Sequence, residues 1–379
     1  MIRVLVAEDS ATVRLLLVSV LSEDPEIEVV GEAASGEETV RLTERLRPDV
    51  ITMDIHMPGM GGIEATKVIM ERKPTPIIIV SSAVRDHDVA MSLQATSYGA
   101  VTAISKPDDP QSAAYRDRVE QLIVAVKTMS QVKVVRRWRR GTPTTALSAS
   151  DGALSSASAP ASTLSPTLLK PSPLAVRRPI AKGGAIGAPA PVHVVAIAAS
   201  TGGPAALQQT LKALPKSFPA PVLIVQHIAD GFINALVSWL RDSCALPIKV
   251  AEDGEAVVGG HVYVAPHGKQ CGTTAAHRIT LLDDPAIEGF RPSATHLFRS
   301  VAKTYGANAM GIIMTGMGRD GIDGLKELHS AGGWIIAQDE ATSVVYGMPQ
   351  EAVRAGVVHD VRPINEIATA IIERTTTQH

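Results

Sequence analysis

The sequence predicts an α/β protein with two doubly wound parallel-sheet domains joined by a flexible linker. Short β-branched runs alternate with amphipathic stretches in both halves of the chain, as in parallel sheets whose strands are buried on both faces. Ala, Ser, Thr and Pro dominate residues 141 to about 190, a composition typical of linkers. The length of 379 residues suits two domains.

The strands can be read directly from the apolar runs. The first half carries IRVLVA, IEVVGEA, DVITMD, PIIIVSS and AVTAIS, with helices beginning near Ser10 and Ser35. The second half carries VHVVAIAAS, PVLIVQH, HVYVAP, GIIMTG and GWIIAQD. We therefore expect one domain over residues 1–125, a helix end and linker over 126–190, and a second domain over 191–379.

Charge and composition exclude several classes of protein. Hydrophobic residues make up 45% and charged residues 20% of the chain, and the net charge of −2 gives no overall attraction to nucleic acid. One basic cluster, Arg136 to Arg140 around Trp138, is read as the solvated end of a helix. The alternative is a docking point for an acidic partner or for the other domain.

Cysteine usage and hydropathy indicate a cytoplasmic protein. Cys244 and Cys271 have neither CxxC nor metal-ligand spacing, so a disulfide framework or zinc site has little support. Glu8 and Asp9 interrupt the apolar start where a signal peptide would continue. No apolar run approaches the ~20 residues of a membrane span, so we expect no membrane insertion.

Polar residues at the strand ends of the first domain form one candidate site. Ligands of open parallel sheets bind at the carboxyl ends of the strands, and three carboxylates gathered there need a cation such as Mg²⁺. The pattern predicts that Asp54 is a nucleophile forming an acyl phosphate, that Mg²⁺ and Lys106 hold the phosphoryl oxygens, and that Ser81 senses the modification. A lone strand-end Asp is usually a helix cap, but four matching strand ends disfavour that reading. The residues are Glu8, Asp9, Asp54, Ser81, Ser82 and Lys106.

A second candidate site follows the linker, where an apolar strand runs into Ser200 and a glycine-rich turn. Such a turn exposes the hydroxyl and leaves N–H groups at a helix N-terminus that can hold an oxyanion. His227 ends the next strand and can act as base, and Asp320 lies on a glycine-rich loop where it can orient the imidazole. The sequence therefore predicts a Ser-His-Asp hydrolase.

Two other functions were weighed for this segment. A glycine-rich turn also binds dinucleotides, but that site needs an acidic residue at the end of the next strand, where this chain has Gln226 and His227. A phosphorylation-dependent binding module that uses the hydrolase fold only for docking is the other alternative. The order Ser, His, Asp and the absence of a G-x-S-x-G elbow separate the chain from the α/β-hydrolases.

The motifs of the first domain resemble the receiver domain of two-component response regulators. EDS, MDIHMPGMGG, VSSA and SKP carry the resemblance over about residues 1 to 125, which implies a flavodoxin-like fold, phosphorylation of Asp54 by a histidine kinase, and Mg²⁺ held by Glu8, Asp9 and Asp54. Glu8 stands where an Asp is more usual. Gly61 stands where the loop normally has an acid.

The second domain resembles the catalytic domain of the chemotaxis protein-glutamate methylesterases, the CheB family. AASTGGP, QHIADGF, RPSATHLFRS, TGMGRDG and AQDEATSVVYGMP carry this resemblance over about residues 190 to 372. It implies a Rossmann-like fold in which Ser200 is the nucleophile, His227 the base and Asp320 its partner. Thr201 and Met317 then line the active site, and N–H groups near Met317 help to hold the oxyanion.

The resemblance also implies a substrate, partners and a mode of control. Methyl-accepting chemotaxis receptors are the expected substrate, and deamidation of receptor glutamines is an expected second activity. The esterase needs no cofactor, and the unphosphorylated receiver is expected to cover the Ser200 cleft.

The stretch PHGKQCGTTAAHRITLL is less like the family and supplies no site residue. The other histidines weighed are read as surface or structural, namely His261, His267, His277 and His296.

Overall fold

The structure is a computed structural model that describes residues 1–81, 95, 102–107, 111, 115–132, 192–228 and 230–376. It contains two parallel sheets flanked by helices, one on each side of the linker, which confirms the predicted fold class. The Arg136–Arg140 cluster, Ser82 and most of the expected linker lie outside the described residues.

The first sheet has five parallel strands in the order β2-β1-β3-β4-β5, the flavodoxin-like order. The strands are β1 (Ile2–Ala7), β2 (Ile27–Ala33), β3 (Val50–Met53), β4 (Ile77–Ser81) and β5 (Thr102–Ser105). The described helices are α1 (Ala11–Ser22), α2 (Gly36–Leu46), α3 (Gly62–Arg72) and α4 (Tyr115–Met129). Helix α4 therefore runs past residue 125, where the domain boundary was expected.

Local sequence explains these elements. The hydroxyl oxygen of Ser10 accepts a hydrogen bond from the N–H of Val13, and that of Ser35 from Glu38, so both predicted helix starts have N-caps. Along β4, the Ile77 side chain packs into one apolar core and that of Ile78 into the other. Burial on both faces is why this strand is a continuous apolar run.

The second sheet has seven parallel strands in the order β14-β13-β12-β6-β7-β9-β8. The strands are β6 (Val194–Ala199), β7 (Val222–Gln226), β8 (Ile248–Val250), β9 (Val262–Val264), β12 (Ala309–Ile313), β13 (Trp334–Gln338) and β14 (Asp360–Arg362). An antiparallel hairpin is made by β10 (Gln270–Thr273) and β11 (Ile279–Leu282). The helices are α5 (Gly203–Lys212), α6 (Ile233–Arg241), α7 (Ala294–Tyr305), α8 (Ile322–Ser330), α9 (Met348–Arg354) and α10 (Ile364–Thr376).

Strand order places a crevice between β6 and β12. From β6 the chain moves to β7 on one side, and it later returns to β12 on the other side. A reversal of this kind is where doubly wound sheets bind their ligands. The strands that end there are the ones predicted to carry Ser200, His227 and the loop of Asp320. No helix of the described residues is both long and apolar enough to cross a membrane.

Candidate active site

Ser200 lies immediately after β6, at the crevice. Its N–H donates to the Thr315 carbonyl over 3.0 Å, and its own carbonyl accepts from the N–H of Gly203 at 2.8 Å. Gly202 has a φ of +76°, a left-handed conformation that favours glycine. The chain therefore turns sharply from β6 into α5, and the half-buried Ser200 side chain lies beside the N-terminus of that helix.

Glycines allow neighbouring segments to approach this turn. A methyl group on Gly316 would lie 2.7 Å from the Ser200 Cβ and closer still to the Met348 sulfur. A methyl group on Gly203 would collide with the side-chain oxygen of Gln226. The loop after β12 and the start of α5 can thus pack against Ser200 and β7 only with glycine at these two positions.

His227 follows β7, and its ring is held on two sides. Its Nε2 lies 2.9 Å from Oδ2 of Asp320, and the ring stacks on Phe290 with centroids 3.9 Å apart and planes 10° from parallel. Within the described residues its buried Nδ1 has no hydrogen-bond partner. The adjacent Gln226 amide donates to the carbonyls of both Ser200 and His227 at 2.8 Å, which ties the ends of β6 and β7 together.

Asp320 is buried and fully engaged, with 1% of its surface exposed. Oδ1 accepts from the Ser293 hydroxyl at 2.7 Å and the Thr295 N–H at 3.0 Å, while Oδ2 accepts from the Ala294 N–H at 2.7 Å as well as from His227. The carboxylate therefore also caps helix α7, whose positive end favours an anion. Burial alone would raise the pKa of Asp320, but His227, Ser293 and Thr295 outweigh it and the pKa is lowered.

These contacts assign different roles to the two ring nitrogens of His227. Since Asp320 accepts from Nε2, the hydrogen of the neutral ring is assigned to Nε2, which leaves Nδ1 as the proton acceptor. In the familiar serine-protease triad the acid binds Nδ1 and the serine faces Nε2. The present site is therefore built with the opposite ring orientation.

Thr201 and Met317, the two residues predicted to line the active site, follow the ends of β6 and β12. The Thr201 carbonyl accepts from the Thr315 hydroxyl at 2.9 Å, so the buried Thr315 links the two strand ends. Neither Thr201 nor Met317 donates its N–H to another backbone group in the part of the chain that the structure describes. The Met317 side chain is 45% exposed, and its sulfur lies 2.9 Å from the hydroxyl of Thr128 in α4.

The first sheet carries its own cluster at the carboxyl ends of its strands. Lys106 Nζ lies 2.8 Å from Oε2 of Glu8 and 3.0 Å from Oδ2 of Asp54. One carboxylate oxygen from each of Glu8, Asp9 and Asp54 falls within 4.8 Å of the others. Burial raises the pKa of Glu8. Burial opposes the charge on Lys106 as well, but Asp54 and Glu8 outweigh it and raise its pKa.

Ser81 ends β4 beside this cluster and is buried. Its carbonyl accepts the Lys106 N–H at 3.0 Å. Its hydroxyl has no hydrogen-bond partner among the described residues. The role of Ser81 as a phosphoryl sensor stays a prediction.

Several supporting residues were missed by the sequence analysis. Gln226 was noted only because it is not an acid, and Ser293 was quoted within a motif without a role. Thr315 and Gln270 likewise lie within quoted stretches without a role, and Phe290 lies in none of them. The motif RPS directly before an amphipathic run did carry a signal, because Ser is a common helix N-cap.

Together the two sites fit a class of protein in which a receiver domain with a carboxylate cluster is joined to a hydrolase domain. Residues 4–115 match the family described as "Response regulator receiver domain", and residues 195–371 match "CheB methylesterase". The chain is 45% identical to protein-glutamate methylesterase/protein-glutamine glutaminase 4 of Myxococcus xanthus, over 98% of this chain and 96% of that protein.

A second relative extends the match. The protein-glutamate methylesterase/protein-glutamine glutaminase of Nitrosospira multiformis is 42% identical over 98% of this chain and 96% of its own length. The Thermotoga maritima CheB methylesterase catalytic domain is 36% identical, covering 48% of this chain and 98% of that one, with a TM-score of 0.47. The chain belongs to the CheB methylesterase family, in the form that carries an N-terminal receiver domain.

Proposed function

We propose that this chain is a phosphorylation-regulated serine hydrolase that removes methyl groups from glutamate methyl esters of methyl-accepting chemotaxis receptors. The observation that carries the proposal is the convergence of Ser200, His227 and the Asp320 loop at three neighbouring strand ends, with Asp320 bonded to His227 at 2.9 Å. The names of its relatives supply the glutamate methyl ester as the substrate.

In the proposed mechanism, Nδ1 of His227 takes the proton of the Ser200 hydroxyl as its oxygen attacks the ester carbonyl. The imidazolium that forms is stabilised by Asp320, which stays ionised because its pKa is lowered. His227 then returns the proton to the departing methoxide, so methanol leaves and an acyl-enzyme remains. A water molecule, deprotonated by His227, releases the glutamate carboxylate and restores Ser200.

The N–H groups of Thr201 and Met317 are the proposed donors to the oxyanion. Thr201 follows Ser200, whose N–H donates to the Thr315 carbonyl. Met317 follows Gly316, which is closely packed against Met348 and Ser200. Preorganised donors of this kind contribute about 3–4 kcal/mol to the transition state. The same acyl-enzyme forms from a glutamine side chain with ammonia as leaving group, so we also propose protein-glutamine deamidation.

In the receiver domain we propose that Asp54 accepts a phosphoryl group from a chemotaxis histidine kinase. Glu8, Asp9 and Asp54 fit Mg²⁺, because their oxygens converge within 4.8 Å and Mg²⁺ binds a few carboxylates together with water. When bound, Mg²⁺ neutralises charge on the transferring phosphoryl group. Lys106, already in contact with Glu8 and Asp54, is the proposed second cation. We also propose that the enzyme acts in the cytoplasm.

Contacts between the receiver and the esterase support control by occlusion. The Thr128 hydroxyl in α4 lies against the Met317 sulfur, and Val344 and Val345 of the esterase pack on the apolar core of the receiver. Val344 also touches the Ser200 turn, since a methyl group on Gly202 would lie 2.6 Å from its Cβ. The unphosphorylated receiver domain would thus restrict access of the substrate to Ser200. Phosphorylation at Asp54 would loosen the contact between the two domains.

The catalytic proposal is tested by methanol release from methylated receptors with purified protein. Ser200→Ala is expected to abolish release, because it removes the hydroxyl that is the proposed nucleophile. Ser238→Ala, which removes an exposed hydroxyl on α6, is the matched control and is expected to act as wild type. Release that persists in Ser200→Ala would refute the assignment.

The regulatory proposal is tested on the full chain with a small-molecule phosphodonor and Mg²⁺. Methanol release is expected to rise in the wild type and to stay at its basal rate in Asp54→Asn, which keeps the size of the side chain but cannot form the acyl phosphate. Equal stimulation of both proteins would contradict control through Asp54.

A further inference from the structure

The β10–β11 hairpin carries a buried amide, that of Gln270, which none of the proposed chemistry uses. Gln270 is fully buried, and its side chain makes three hydrogen bonds. Its Nε2 donates to the carbonyls of Pro285 and Phe290 at 3.0 and 3.3 Å, and its Oε1 accepts from the N–H of Ser293 at 2.9 Å. One side chain therefore holds both ends of the segment from Pro285 to Ser293.

That segment contacts two members of the triad. The Phe290 ring lies flat on the His227 ring, with a centroid separation of 3.9 Å. The Ser293 hydroxyl donates to Oδ1 of Asp320 at 2.7 Å. The bonds of Gln270 thus end on Phe290 and Ser293, the same two residues whose side chains contact the base and the acid.

The remainder of the segment has little else to hold it. Residues 282–286 and 288–289 are exposed, and Gly289 has a φ of +84°. Phe290 is only half-buried and is not part of either apolar core of the esterase. Its position therefore depends on the Gln270 hydrogen bond, on the bridge to Ile287, on the stack itself and on the adjacent Arg291 carbonyl, which accepts from the N–H of Gly268.

We infer that Gln270 and Phe290 are positioning residues for ester hydrolysis, with Gln270 fixing the segment and Phe290 fixing the plane of the His227 ring. A single hydrogen bond to Asp320 leaves the imidazole free to tilt about that bond. The flat contact with Phe290 removes this freedom and keeps Nδ1 directed towards Ser200, while excluding water from one face of the ring. The inference rests on the proposed serine-hydrolase function.

The first test compares Phe290→Leu with Phe290→Tyr in the full chain. Leu keeps apolar volume but loses the flat ring, so kcat for methanol release is expected to fall roughly 10- to 100-fold, the scale of a small misplacement of a reacting group. KM is expected to change by less than about 2-fold, because the residue acts on the base and not on bound substrate. Tyr keeps the ring and should restore kcat to within about 3-fold of wild type.

Two readouts separate positioning from a general loss of stability. In ¹⁵N spectra of the wild-type imidazole, His227 is expected to carry its hydrogen on Nε2 alone, whereas Phe290→Leu should give an averaged signal. Phe218→Leu shortens a core phenylalanine just before the amino end of β7, whose carboxyl end carries His227. This variant should lower Tm while leaving kcat unchanged.

The link between the two residues is tested with Gln270→Glu, which keeps the acceptor for Ser293 but sets a carboxylate oxygen against the carbonyls of Pro285 and Phe290. Its kcat is expected to fall by a similar factor, and the double variant should be no slower than the slower single variant, since both act through one path. Multiplying losses, a wild-type kcat for Phe290→Leu, or a change confined to KM would overturn the inference. If the Ser200→Ala variant released methanol as fast as the wild type, the proposed function itself would fail instead.

Discussion

Asp320→Asn tests both roles of the buried carboxylate, as the partner of His227 and as a cap of helix α7. Each of its oxygens accepts two hydrogen bonds, and an amide can present only one oxygen. An NH₂ group in place of Oδ2 faces the N–H of Ala294 and requires His227 Nε2 to accept, which moves the ring hydrogen to Nδ1. An NH₂ group in place of Oδ1 instead faces the N–H of Thr295. In either orientation one backbone N–H, that of Ala294 or that of Thr295, is left facing an NH₂ group.

The expected loss in activity follows from the wrong tautomer in the first orientation and from loss of the carboxylate charge beside the imidazolium in both. With its hydrogen on Nδ1, His227 cannot take the proton of Ser200, and the corresponding change in serine proteases lowers kcat about 10⁴-fold. We expect a fall of about 10³- to 10⁴-fold in kcat for methanol release. Loss of a charge-assisted hydrogen bond and a buried unpaired donor together lower the free energy of unfolding by about 2–4 kcal/mol.

The control is Asp323→Asn, which neutralises an exposed carboxylate in the first turn of α8. It should leave kcat unchanged and alter stability by less than about 0.5 kcal/mol. Retention of more than a tenth of wild-type kcat by Asp320→Asn would refute the role assigned to the ionised carboxylate. The depressed pKa also predicts that the Asp320 contribution to stability is present above the unfolded value of about 3.9 and is lost as the pH falls through the native value.

Three further predictions concern other parts of the chain. Gly203→Ala should lower kcat at least about 10-fold, because its methyl group displaces the Gln226 amide that holds two active-site carbonyls; methanol release at saturating substrate measures this. Mg²⁺ at one hundred times its dissociation constant should raise the free energy of unfolding by about 2.7 kcal/mol, seen as a higher Tm in a thermal-shift titration, and Asp9→Asn should weaken that rise. Burial raises the pKa of Cys271 to about 12, so iodoacetamide at pH 8 should modify it only after unfolding, as followed by mass spectrometry.

Much of the architecture follows from local sequence signals. All five strands expected in the first sheet form, and the helices start at Ser10 and Ser35 as predicted, because apolar runs and N-caps act over a few residues. The five strands expected in the second sheet also form. β8 and β14 were missed because their three residues, IKV and DVR, include charged side chains, whereas the equally short β9 is the apolar run VYV.

The active site was predictable only in part. Ser200 and His227 end apolar strands, and parallel topology brings such ends together, so their grouping could be anticipated. The supports at Gln270, Phe290 and Ser293 lie 43 to 66 residues along the chain from His227, and no local pattern connects them to it. The ring orientation of His227 likewise depends on a long-range contact with Asp320.

Val344 has a consequence for exchanging domains between relatives. This one side chain lies against the Ser200 turn and also packs on the core of the receiver. A receiver transplanted from another family member would meet a valine shaped for a different apolar surface. Functional chimeras should therefore carry the segment from Asp339 to Gly347 together with the receiver, because Val344 in this loop contacts both domains.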